Sequence, residues 1–116
     1  MKHYIGKQKL LRIYIGSEDV VDGKPLWEEI LAKCKEVGIA GATVYKAVAG
    51  IGCHSELHSF NIWALNQKLP LVIEIIESEE NIKTLLKYVE NIIEEGLVTS
   101  QDINILLYKH SKKEKD

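Results

Sequence analysis

Two neighbouring stretches of this chain carry residues whose types and spacing could do chemistry. The first, Val37 to Gly52, reads VGIAGATVYKAVAGIG. It holds no obvious nucleophile and no acid–base pair, so its chemistry is that of the backbone. Gly50 and Gly52 flank one apolar residue, Ile51, which lets the chain turn tightly and leaves N–H groups open to a bound group. Such N–H groups suit anionic ligands such as phosphates. The second stretch, Cys53 to Phe60 (CHSELHSF), offers Cys53, His54, Glu56 and His58. These are metal-ligating types. His54 and His58 share one face of a helix, and in an extended strand His54, Glu56 and His58 all point one way. The set is not a closed four-ligand signature, and polar residues on an exposed loop account for it more simply. His54 or His58 could also act as a general acid or base. No serine or cysteine nucleophile with a supporting acid stands near them, so the reading is of a protein that is not an enzyme. Glu74 and Glu77 have opposite parity in a strand. They are read as a surface or subunit-interface acid and a helix-start acid rather than a catalytic pair.

The elements that position these residues follow from the pattern. Leu10–Ile15 is an apolar run of strand length, with Arg12 and Tyr14 on one face and Leu11, Ile13 and Ile15 on the other. Gly16 to Lys24 is a loop of turn residues. Pro25 suits the first turn of a helix, and Leu26, Ile30, Cys34 and Val37 recur at helical spacing, widened by Trp27 and Leu31. Gly38 stops that helix. A second strand is expected over Ala42–Ala49 and a third over Leu71–Glu77. Ser78 is a good N-cap, with Glu79 and Glu80 where the helix dipole favours acids. Ile82, Leu85, Leu86, Val89, Ile92 and Ile93 form a second helical stripe, ended by Gly96. The last strand is expected over Asp102–Lys109.

The order is β-α-β-β-α-β. That is an α+β, ferredoxin-like arrangement: a four-stranded antiparallel sheet with two helices on one face. The other face, with Arg12, Tyr14, Val72 and Glu74, must meet water or another subunit. Residues 1–110 are read as one domain and 111–116 (SKKEKD) as a charged, disordered tail. The connection from Gly50 to Lys68 is long, and Cys53–Gln67 is expected to be mobile in part. Phe60, Ile62, Trp63 and Leu65 make it unexpectedly apolar, which suits packing on its own domain, an extended hairpin or a partner face.

Fifteen basic and seventeen acidic residues give a net charge of −2, which argues against a general nucleic-acid binder. The two cysteines form no CxxC pair. The N-terminal MKHYIGKQKL has no apolar h-region, and no apolar run approaches membrane-spanning length. A cytoplasmic protein that does not itself span a membrane is expected.

Several motifs, in order, resemble the PII-like superfamily of trimeric signalling proteins. Gly38-Ile39-Ala40-Gly41-Ala42-Thr43-Val44 is similar to the PII stretch Gly-Ile-x-Gly-x-Thr-Val. Gly50-Ile51-Gly52 resembles the Gly-Phe-Gly at the base of the long PII loop, and Leu69-Pro70 the Leu-Pro before the third strand. Tyr14-Ile15-Gly16, Gly23-Lys24-Pro25-Leu26 and Gly41-Ala42-Thr43-Val44 bring the chain nearest to the PII-like family called domain of unknown function 190. The resemblance covers Leu10 to Lys109. It implies a homotrimer that binds an adenine nucleotide (ADP, AMP or ATP) in a cleft between subunits. Gly50, Ile51 and Gly52 would approach it from one subunit; Gly41, Ala42 and Thr43 would line the opposite wall. It also implies a regulated protein contacted by the 50–68 loop. Where PII proteins grip phosphates with Gly-Asp-Gly-Lys, this chain has Gly96-Leu97-Val98-Thr99-Ser100-Gln101-Asp102, with no lysine. A weaker hold on terminal phosphates follows. The long loop lacks the tyrosine-bearing pattern that PII proteins use for uridylylation, so that modification is not expected. The alternative is a metal-responsive or catalytic trimer resembling CutA-like relatives, using His54, Glu56 and His58.

Overall fold

A computed structural model describes residues 5–51, 57–59 and 69–110, with only the backbone path described at 57–59. The elements run β1 (Gly6–Gly16), β2 (Val20–Val21), β3 (Lys24–Pro25), α1 (Leu26–Val37), β4 (Ala42–Lys46), β5 (Ala49–Ile51), β6 (Leu57–Ser59), β7 (Pro70–Glu77), α2 (Glu79–Ile92) and β8 (Leu97–Ile105). Strands β4, β7, β1 and β8 lie in that order in one four-stranded antiparallel sheet, and β2–β3 and β5–β6 are separate two-stranded ribbons. This is the expected α+β, ferredoxin-like fold.

The sheet forms because two apolar runs alternate in register. Leu11 faces Ile75, Ile13 faces Ile73 and Ile15 faces Leu71 across β1–β7. Period-two alternation puts these six residues on one side, where α1 contributes Leu26, Ile30 and Cys34 and α2 contributes Ile82, Leu85 and Val89 to one core. Both helices therefore cover the same face. Helix α1 ends where Gly38 takes a left-handed backbone at φ 92°. The Ser78 hydroxyl caps α2 by accepting from the Asn81 N–H at 3.2 Å.

Several boundaries differ from the sequence reading; β1, for one, starts at Gly6 rather than Leu10, its first residues pairing with β8. Helix α2 ends at Ile92 rather than Gly96. Gly96 instead lies against the main chain of β1, where a Cβ would stand 2.7 Å from the Tyr14 carbonyl oxygen. The last strand begins at Leu97, opposite Tyr14, so polar Thr99, Ser100, Gln101 and Asp102 are extended edge residues and not a loop. As described it stops at Ile105, paired with Gly6 at the start of β1, and Leu106 and Leu107 are 83% and 70% exposed. The Ala42–Ala49 strand is two strands, β4 and β5, divided at Ala47 and Val48.

The charged tail, the expected mobility of the long connection, and Phe60, Ile62, Trp63 and Leu65 all lie outside the described residues.

Ile73 is fully buried at the middle of the sheet. Ile73→Ala should destabilise the fold by about 2–5 kcal/mol, the usual range for such a deletion in a packed core. A urea midpoint equal to that of the parent would contradict this packing.

Candidate functional site

The sequence-predicted site residues fall into two groups at opposite ends of β4. At its start, the left-handed Gly38 donates its N–H to the carbonyls of Cys34 (3.1 Å) and Lys35 (3.2 Å). The chain then turns into β4 with the Ala40 N–H donating to Glu77 Oε1 at 3.3 Å. Gly41, Ala42 and Thr43 follow, all exposed. Among the described residues, chain neighbours aside, no atom lies within 4 Å of where a Cβ on Gly41 would stand, so none of them demands glycine there. Strand β4 is at one end of the strand order, so its outer edge lacks a neighbour among the described residues.

The second group sits at the base of the long connection. The Ala47 N–H donates to the Pro70 carbonyl at 2.9 Å, and β5 then pairs with β6, placing Gly50 opposite His58 and Ile51 opposite Leu57. Gly50 does not make the tight turn expected of it. It is an extended strand residue without positive φ. Its lack of a side chain serves a close approach instead: a Cβ would stand 2.8 Å from the Pro70 ring. Ile51 and Val48 are 72% and 75% exposed beside it.

The structure thus brings the loop base and the start of β7 together, and keeps both apart from Gly41–Thr43. Ala42 pairs with Ile75 and Lys46 with Leu71, four residues apart on β7, or about 13 Å along the strand. Gly52 lies outside the described residues, as do Cys53, His54 and Glu56; His58 is in β6 by its backbone alone. Among the described residues no cluster of three His, Cys, Asp or Glu is arranged for a metal ion.

Sequence parity placed Arg12, Tyr14, Val72 and Glu74 on the helix-free face, but it missed how they connect. The Arg12 Nε donates to Glu74 Oε2 at 3.0 Å, an Arg12 terminal nitrogen donates to Gln101 at 3.3 Å, and the Tyr45 hydroxyl donates to Glu74 Oε1 at 3.2 Å. This polar chain crosses β4, β7, β1 and β8 in turn. Only the strand order shows it, since the expected last strand begins at Asp102, one residue after Gln101. Near the edge, Lys9 bridges to Asp102, holding the lysine pKa above and the carboxyl pKa below their ordinary values, mainly through that hydrogen bond. Glu77, read as a helix-start acid, is buried at the junction of β7 and α2, where Asn81 Nδ2 donates to its second oxygen at 2.9 Å.

Comparison with known proteins places this geometry. The family DUF190, described as an uncharacterised ACR, matches residues 8–105. A UPF0166 protein of Aquifex aeolicus is 38% identical over 100 residues, covering 86% of this chain and 94% of that protein. A UPF0166 protein of Methanocaldococcus jannaschii is 37% identical over 100 residues, covering 85% and 92%. Among solved structures, CPII from Thiomonas intermedia K12, a nitrogen regulatory PII-like protein bound to ADP, AMP and bicarbonate, superposes with a TM-score of 0.63. It is 20% identical and covers 85% of this chain and 88% of that one.

Cys34 faces the core on α1, and burial pushes its thiol up to about 11. Only the thiolate is nucleophilic. Native protein should leave the Cys34 peptide unalkylated by iodoacetamide at pH 8, with full labelling after denaturation. Because the folded value lies above that of a free thiol, the stability this thiol contributes is present below about pH 9 and is lost as pH climbs towards about 11. Rapid labelling in the native state would show that α1 is not packed as described.

Proposed function

The chain belongs to the DUF190 family and carries the PII-like fold, and from that premise we propose a regulatory protein that binds an adenine nucleotide between subunits and signals through the 50–68 loop. The observation that carries this reading is the division of the site. Gly50 and Ile51 stand at one end of β4 beside Pro70, and Gly41, Ala42 and Thr43 stand at the other. Each group is one wall of a cleft, and a neighbouring copy supplies the wall that a single chain places out of reach. A closed ring of identical subunits repeats such a junction once per subunit. The trimeric number comes from the family likeness. The face for assembly is the one the helices leave bare, with Tyr14, Val72 and Ile76 around the polar chain.

The residues present suit a nucleotide. An edge strand offers main-chain N–H groups that no neighbouring strand takes up, and these can donate to phosphate oxygens. Exposed Ile51 and half-buried Val44 give apolar surface for a base. The family likeness adds Gly52, which lies outside the described residues, to the contacts expected from this wall. The ADP and AMP bound by CPII support the ligand class. Residues 97–102 are strand, not a phosphate-gripping loop, so the terminal phosphate adds little. ADP or AMP should then bind about as well as ATP. A nucleotide contacting the base of the 50–68 loop would shift that loop's conformations and so its affinity for a regulated protein. In this role the protein is cytoplasmic and is not an enzyme.

Titration calorimetry with AMP, ADP and ATP, with and without a divalent metal, tests the reading. Binding of at least one nucleotide is expected, and no binding of any at millimolar concentration would end it. A signal seen with metal alone would favour the CutA-like alternative built on His54, Glu56 and His58. Gly41→Val is the diagnostic variant, because the space around Gly41 in its own chain is open. It should fold and assemble as the parent does while losing about tenfold or more in affinity, as a blocked backbone contact would. Light scattering should give a trimer mass for parent and variant, and a monomer at micromolar concentration would refute the cleft between subunits.

A further inference from the structure

Each half of the cleft is held by a side chain that stands behind it. At the loop base that side chain is Ser17. Its hydroxyl oxygen accepts the Leu69 N–H at 2.9 Å, and its own N–H donates to the Leu69 carbonyl at 2.7 Å. Leu69 is 2% exposed and leads directly into Pro70. Pro70 in turn holds Ala47 through its carbonyl and lies against Gly50 with no space for a methyl group between them. Ser17 is itself presented by a locked turn. The Gly16 N–H donates to Asp19 Oδ2 at 2.8 Å, and the Asp19 carbonyl accepts the Leu26 N–H at 2.9 Å, which fixes the turn to the start of α1.

At the other wall the side chain is Glu77, which is 5% exposed. One carboxylate oxygen accepts the Ala40 N–H, immediately before Gly41, and the other accepts Asn81 Nδ2 from the first turn of α2. A buried carboxylate with both oxygens engaged fixes the groups it binds, and removing one partner is costly. Glu77 stands behind the glycine wall as Ser17 stands behind the loop base.

We infer that Ser17 and Glu77 are positioning residues which, without touching the nucleotide, hold the loop base and the glycine wall of the cleft in binding geometry. The inference rests on the nucleotide reading above. The two residues act on different subunits at any one cleft, because the walls they support lie at opposite ends of β4 in one chain. Each contributes through one main-chain donor, Leu69 for Ser17 and Ala40 for Glu77.

The test compares Ser17→Ala, Ser17→Thr and Glu77→Gln in the full-length assembly. Ser17→Ala and Glu77→Gln should each bind ADP roughly three- to tenfold more weakly, the range for losing one hydrogen bond, with the trimer mass unchanged. Ser17→Thr keeps the hydroxyl and should restore binding. In nucleotide-free protein, Ser17→Ala should speed amide exchange at Ala47, which Ser17 does not itself bond, and Glu77→Gln should speed it at Ala40. Trimers refolded from an equal mixture of Ser17→Ala and Glu77→Gln chains carry about one cleft in four with both walls native. Calorimetry should recover a parent-affinity class of that size. Parent affinity in either single variant, unchanged exchange at Ala47 and Ala40, or mixed trimers without the tight class would each overturn the inference. If the parent itself binds no nucleotide, the sensor reading fails and the exchange rates alone decide whether the two side chains hold these segments.

Discussion

The antiparallel pairing of β1 with β7 is the contact on which everything else here depends. Ile13 and Ile73 face each other at its centre, and neither is exposed to solvent. A slip of β1 by one residue against β7 would turn Arg12 into the core and Ile13 outward. The cost of burying an unmatched charge disfavours that register. Once it is set, the remaining placements follow. Strand β8 adds along the free side of β1, β4 adds along the free side of β7, and both helices must lie over the apolar face.

That same register places the candidate site residues. Since β4 pairs with β7 from Ala42 at Ile75 to Lys46 at Leu71, the glycine-rich wall and the loop base cannot be neighbours in one chain. The stems of the long connection are nonetheless held tightly. Ala47 is tied to Pro70, and Leu69 is tied to Ser17. A fixed base is what a loop needs if a small ligand beneath it is to bias its conformations, because a base that yielded would absorb the change locally.

The fold class was legible because alternation over Leu10–Ile15 and Leu71–Glu77, the α1 and α2 stripes and the Ser78 cap all agreed with one another. Where local chemistry and pairing pulled apart, the sequence misled. Thr99-Ser100-Gln101-Asp102 reads as a turn by composition, yet β1 offers those residues a ladder and they take it. Leu106-Leu107-Tyr108 reads as strand by composition, yet the last described pair of that ladder is Ile105 with Gly6. Strand propensity is a preference that a partner must complete. The glycines divide in the same way. Gly38 was recognisable as a helix stop, whereas the close approaches of Gly50 to Pro70 and Gly96 to Tyr14 depend on segments far apart in sequence. The candidate site glycines rest on family likeness, and the bond of Ser17 to Leu69 spans 52 positions, which no local pattern shows. The candidate metal residues His54 and Glu56 fall where no structure is described.

The polar chain on the helix-free face bears on what kind of surface could cover that face. Arg12 and Glu74 have side chains 36% and 23% exposed, already partly withdrawn from water at the middle of the sheet. Covering them further would be unfavourable for isolated charges. Here each has its partners in place: Glu74 accepts from both Arg12 and Tyr45, and Arg12 also reaches Gln101. A second sheet laid on this face would bury Tyr14, Val72 and Ile76 without leaving either charge unmatched. A partner that offered only apolar surface, or that displaced Gln101 or Tyr45, would strip away part of this satisfaction. The chain would therefore contribute less to the strength of assembly than to its choice of mate and register, while the flanking apolar residues provide the attraction.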